Sequence, residues 1–225
     1  MNGHHDSTMF FLISKMLEGM KRKNPQQSDI RASISIDLLK RLIKSLHHVC
    51  SSHYDARLLS AAFSLAYFAM LRVSEISLKT RSDQSGHALK FNNVSFENND
   101  NTLCVKISSS KTDQKNESVT LIIQTQSDVD ICPVLLLQSY LRIRFSGLKG
   151  SNKLFVHFDG KGLTRYQFCS ILQKCLQFCD IPLHIRSHSF RIGRATDMAK
   201  MGIADEQIKC CGRWNFVSYW RYIRL

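Results

Sequence analysis

Hydrophobic positions along the chain keep a helical period, lose it in the middle, and then resume it. Residues 9–23, MFFLISKMLEGMKRK, read as a helix closed by Asn24-Pro25, and the polar stretch NPQQSDIR reads as a linker. Ser35 is placed to cap IDLLKRLIKSLHHV, whose apolar residues recur at helical spacing. Asp55 is expected to open ARLLSAAFSLAYFAML, which is apolar nearly all round and so predicts the buried central helix. The period then switches. ALKFNNVSF, TLCVKISSS and SVTLIIQ are short, rich in β-formers and separated by the polar turns ENNDN and KTDQKN. They predict a small antiparallel sheet of three strands.

Helices resume at Pro133, which suits the first position of PVLLLQSYLRIRF. Thr164 is placed to cap RYQFCSILQKCLQFC. Ser187 or His188 opens a helix to Met201, stopped by Gly202. A short helix over 205–211 ends at Gly212, and Ser218 is expected to cap a last one. The fold class is α+β, mainly helical with one small three-stranded sheet inserted.

Composition adds a direction. The 225 residues carry 31 Lys and Arg against 18 Asp and Glu, a net charge of +13. Such an excess suits a polyanion, nucleic acid first, because each neutralised phosphate releases condensed counterions. No apolar run approaches a membrane span and the N-terminus lacks a signal-peptide pattern, so the expectation is a soluble, intracellular chain. The eight Cys form no C-x-x-C pair and predict buried thiols rather than a metal site.

Several polar residues sit where burial is expected. Arg72 and Glu75, in LRVSEI, follow the most apolar helix; they form either a structural pair across one turn or part of a ligand cleft. Lys111 lies in the turn SSSKTDQKN, either merely solvated or on an arm that can present an ammonium to an ester. His188 and Arg191 are three residues apart at a helix start, where free amides attract anions, and Arg194 continues that face. Trp214 follows Gly212, and Tyr222 comes eight residues later.

In this order, with the local wording LRVSE, SKTDQ, HSFRIGRAT, GRW and YIR, the set resembles the tyrosine recombinases, the phage-integrase-like enzymes. The likeness runs from about residue 31 onward. Its wording is most similar to the eukaryotic branch of Crypton elements and DIRS-like and Ngaro-like retrotransposons.

The resemblance implies DNA strand cleavage and rejoining, in site-specific recombination or integration of a mobile element, with no metal and no cofactor. Tyr222 would be the nucleophile, forming a 3′-phosphotyrosine and freeing a 5′-hydroxyl. Tyr219 and Tyr166 are its rivals. Arg72 and Arg191 would clamp the non-bridging oxygens, His188 and Trp214 would add N–H donors, and Lys111 would protonate the leaving oxygen. A phenol titrates near ~10, so it needs help losing its proton, and His188 is the nearest candidate. Glu75 would orient Arg72. Arg194, Arg213 and Arg224 are further candidates for DNA contact.

By the same resemblance, residues 1–30 would be a remnant of an N-terminal DNA-clamping domain, its last helix and linker, and 31–225 the catalytic domain. The partners implied are double-stranded DNA and further copies in a tetramer; nuclear residence is implied too. The other readings are a non-catalytic DNA-binding module derived from such an element, and a basic RNA-binding or scaffold protein.

Overall fold

The structure, a computed structural model, describes residues 32–83, 86–107, 118–145, 151–181, 184–214 and 219–224. The expected helix over 9–23, the linker, the whole of 1–30, Lys111 and Ser218 lie outside the described residues.

Helix α1 spans Ile36–Val49, with Ser35 accepting from the Leu38 amide at 3.3 Å. Helix α2, His53–Phe68, starts two residues before the expected Asp55. Its cap is Ser52, whose Oγ accepts from the Asp55 amide at 3.0 Å. α2 is buried along almost its whole length and runs through the core, packing against α1 and three later helices. It also ends earlier than its apolar pattern suggests. Met70 takes φ 45°, and the amides of Met70 and Leu71 turn back to the carbonyls of Tyr67 and Ala66. That is the usual hydrogen-bond pattern of a helix stop, here with Met where glycine is preferred.

A four-residue helix, α3 (Val73–Ile76), follows at once. The sheet comprises β1 (Val94–Glu97), β2 (Thr102–Ile107) and β3 (Val119–Gln124), antiparallel in the order β1-β2-β3. Val94 pairs with Val105, which pairs on its other side with Leu121. β1 is shorter than ALKFNNVSF implied. The Asn93 side chain accepts from the Lys90 amide at 2.8 Å, winding residues 91–93 into a 3-10 turn.

Helices α4 (Pro133–Phe145) and α5 (Arg165–Phe178) follow, α5 capped by Thr164 as expected. Then come α6 (Ser189–Lys200) and α7 (Asp205–Gly212). The last element is a 3-10 helix over Tyr219–Tyr222. Phe63 of α2, Phe168 of α5 and Phe190 of α6 meet with ring centroids 5.1 to 5.9 Å apart. Their packing fixes α6 against the central helix, a large apolar contribution with favourable ring geometry. This is the mainly helical α+β architecture expected from the sequence. Among the described residues no helix is long and apolar enough to cross a membrane.

Candidate active site

The site grows from the abrupt end of α2. Met70, left-handed, points its carbonyl away from the helix, and two guanidiniums take it: Arg191 through Nη1, and Arg213 through Nη2 at 3.3 Å. A non-glycine residue in this conformation costs of order 1–2 kcal/mol, so the local backbone is held by its surroundings.

Arg72 precedes α3, and Glu75 reaches back to it. One Glu75 oxygen accepts from the Arg72 amide at 2.7 Å, and the other accepts from the Arg72 guanidinium at 3.2 Å. Glu75 is buried, while the Arg72 side chain keeps about a quarter of its surface exposed. An i,i+3 carboxylate therefore presents a partly open guanidinium at the rim.

His188 and Arg191 come from the start of α6. Ile34 donates its amide to the carbonyl of Ser189 at 3.1 Å, crossing the helix directly over Gly193. A Cβ at Gly193 would fall 1.7 Å from the Ile34 carbonyl oxygen, so glycine is what permits this crossing. Arg191 is 1% exposed and donates through Nη2 to the carbonyl of Gly212 at 2.9 Å. Burial, with Arg72 and Arg213 nearby, pushes its pKa down to about 10, which still leaves it charged at neutral pH.

Gly212, Arg213 and Trp214 form the exit from α7. Arg213 is left-handed at φ 52°, and its amide and that of Trp214 return to Cys210 and Lys209. Its Nη2 donates to Glu75 at 2.8 Å, and both side chains are almost wholly buried. Burial also lowers the pKa of Arg213. Two guanidiniums, those of Arg72 and Arg213, thus bond the carboxylate of Glu75, and that of Arg191 lies near enough to feel its charge. Several donors have no acceptor among the described residues: Nε of Arg191, Nε and Nη1 of Arg213, and Nε1 of Trp214. Buried donors are nearly always paired, and an excess of cations with spare N–H groups is an environment that favours an anion.

Tyr222 closes the group. Its ring lies 4.3 Å from that of Trp214 and 4.8 Å from that of His188, between centroids. The Arg191 guanidinium lies 5.6 Å from the Tyr222 ring and 5.0 Å from the Trp214 ring. Of the residues singled out in the sequence, Arg72, Glu75, His188, Arg191, Trp214 and Tyr222 therefore come together. The rival tyrosines are placed elsewhere. Tyr219 is 1% exposed, with burial and a hydrogen bond to Asp205 pushing its pKa up to about 12. Tyr166 is 80% exposed in the first turn of α5.

Arg194 lies over the rings of Tyr67 and Phe68, at 5.8 and 5.1 Å. Arg213, expected among DNA-contacting residues, is in the interior. Arg224 donates its amide to Thr196 at 3.0 Å and its guanidinium to the carbonyl of Arg221. Two contributors were not foreseen. Thr196 donates its hydroxyl to the Tyr222 carbonyl, and the Met70 carbonyl serves both buried arginines. No local signal marks either one, because both act across long sequence separations.

The sequence profile of the "Phage integrase family" matches residues 34–219. The chain belongs to the phage integrase family. Its fold is shared with other integrases and recombinases. XerH site-specific recombinase, in a pre-cleavage complex with its difH substrate, superposes with a TM-score of 0.65 at 15% identity, over 86% of this chain and 50% of that one. XerA recombinase gives 0.63 at 19% identity, over 86% and 60%. A lambda integrase dimer bound to a COC′ core site gives 0.57 at 14% identity, over 86% and 48%. The chain thus spans about half the length of XerH and lambda integrase. No curated protein matches its sequence. In this integrase-family fold, the site is assembled from the ends of α2 and α7, the start of α6 and the last 3-10 helix.

Proposed function

We propose that the protein cleaves and rejoins duplex DNA through a covalent bond between Tyr222 and a DNA 3′-phosphate, recombining or integrating a mobile element of the Crypton, DIRS-like and Ngaro-like branch. The observation that carries this reading is the Tyr222 ring seated against His188 and Trp214 over the guanidinium of Arg191.

The phenol oxygen of Tyr222 attacks phosphorus, forming a phosphotyrosyl ester as the bond to the 5′-oxygen breaks. His188, in contact with the ring, takes the phenolic proton. Lys111 returns a proton to the departing 5′-oxygen. Arg72 and Arg191 stabilise the charge that builds on the non-bridging oxygens, and Trp214 Nε1 adds a donor. Attack of a 5′-hydroxyl on the phosphotyrosyl ester reverses the step and reseals the strand. Because Arg191 is covered by two aromatic rings, entry of the phosphate must shift at least one of them. The same reading makes duplex DNA the substrate, a tetramer on DNA the working assembly, and the nucleus the compartment.

The test is covalent capture. The 225-residue protein is mixed with labelled, nicked random-sequence duplexes, denatured in detergent and resolved by size. Label that migrates with protein, lost in Tyr222→Phe and kept in Tyr219→Phe, supports the reading. Salt-sensitive DNA binding without any adduct would replace it with the non-catalytic DNA-binding module.

A further inference from the structure

Arg213 is neither exposed nor in the backbone conformation its side chain favours. It occupies the left-handed position at the end of α7, a place where glycine is preferred. Its side chain runs inward to Glu75 at 2.8 Å and to the Met70 carbonyl at 3.3 Å. Glu75 is the residue that holds Arg72, by both amide and guanidinium. The Met70 carbonyl is also the acceptor for Arg191. Through two bonds, Arg213 therefore touches the supports of both arginines assigned to the phosphate.

We infer that Arg213 is a positioning residue: it locks Glu75 and the Met70 carbonyl, and so sets the separation and orientation of Arg72 and Arg191. This rests on the proposed role of those two arginines. Arg213 acts from behind them, with its Nη2 committed to Glu75 and to the Met70 carbonyl. Its charge matters as well as its shape. The Glu75 carboxylate is shared between Arg72 and Arg213, so its charge is divided between the two guanidiniums. A single Arg72–Glu75 pair would hold Arg72 more completely.

The natural variant to make is Arg213→Gly, which removes the guanidinium and gives the backbone the residue its conformation prefers. Four proteins are compared: wild type, Arg213→Gly, Glu75→Gln and the double variant. The readouts are thermal stability, affinity for a random-sequence duplex across a salt series, the rate of covalent capture on nicked duplexes, and stabilisation by inorganic sulfate. Arg213→Gly is expected to fold and to bind duplex with unchanged affinity and salt slope. Its capture rate should fall about 30-fold or more, with the sulfate stabilisation reduced in parallel. The double variant should be no slower than the slower single variant, because both changes break one chain of contacts.

Loss of duplex affinity with a salt slope smaller by about one would overturn the inference in favour of a direct phosphate contact. Additive losses in the double variant, or capture and sulfate stabilisation both unchanged, would also overturn it. If wild type forms no adduct, the recombinase reading fails, yet sulfate stabilisation lost equally in the two single variants would still support the positioning role. Arg213→Lys is the check on folding. It keeps the charge and loses the two-acceptor geometry, and should recover stability without recovering the capture rate.

Discussion

The hydroxyl of Thr196 donates to the main-chain carbonyl of Tyr222 at 3.4 Å and accepts from the amide of Arg224 at 3.0 Å. Thr196 is buried on α6, the helix that also carries Arg191 and begins beside His188. One side chain thus grips the main chain on either side of Ile223 and fixes the Tyr222 segment to the helix bearing its proposed partners. Thr196→Val keeps the shape and loses both bonds. It should cost about 1–2 kcal/mol in urea unfolding, the usual penalty for removing buried hydrogen bonds. Covalent capture should slow about tenfold while duplex affinity stays constant. Equal capture rates would mean the segment is held by its aromatic contacts alone.

Two glycines separate fold from site. At Gly193 an added Cβ meets main chain, the Ile34 carbonyl at 1.7 Å, which cannot move without dragging the segment before α1 off α6. Gly193→Ala should destabilise by about 3 kcal/mol or more, the upper end for overpacking. For a chain of this length that is a fall of roughly 6–12 °C in Tm. Calorimetry checks it, and a shift below a few degrees would show that the crossing can loosen.

At Gly212 the added Cβ meets a side chain instead, lying 2.1 Å from the Trp214 ring. The ring is half-buried and can turn aside. Gly212→Ala should therefore lower stability by only about 1 kcal/mol while dislodging Trp214 from Arg191. Its expected signature is slow covalent capture in a well-folded protein, with Trp emission shifted in a Trp220→Phe background. Unchanged emission would show that the ring stays and the backbone yields.

Much of this fold is legible because its signals are local. Ser35 and Thr164 cap the helices they precede, Pro133 begins α4, and Gly202 stops α6. The three strands follow from short runs rich in β-formers between polar turns, and a run of Asn98, Asn99 and Asp100 with positive φ makes their first turn. What is not legible depends on contacts between distant residues. The apolar run of α2 gives no hint of stopping at Met70, because the stop is stabilised by arginines more than 120 residues later. The Glu75–Arg213 pair spans 138 residues, so Glu75 is readable only as a partner of Arg72. The wording YIR favours Tyr222 over its rival Tyr219, and the burial of Tyr219 separates the two further. The family wording draws attention to residues that the fold brings together; only folding reveals that Arg213 points inward.

Buried tyrosines give the fold an alkaline limit. Burial raises the pKa of Tyr67 and Tyr140 above the ordinary phenol value, and takes Tyr219 to about 12, helped by its hydrogen bond to Asp205. In the unfolded chain these phenols titrate near ~10. Above that pH the folded state holds more protons than the unfolded state, so stability falls as pH rises. The contribution is complete below pH ~10 and is lost as pH climbs through the folded values. Urea midpoints should therefore be unaffected by these groups between pH 7 and about 9, then drop steeply from about 10 to 12. Tyr219→Phe keeps the ring in its place and removes one titrating group, so the drop should be shallower while the neutral-pH midpoint changes little. Covalent capture by Tyr219→Phe at neutral pH should match wild type, since its phenol is sealed in the core. A steeper alkaline drop in that variant, or a lost adduct, would contradict both the burial argument and the choice of Tyr222.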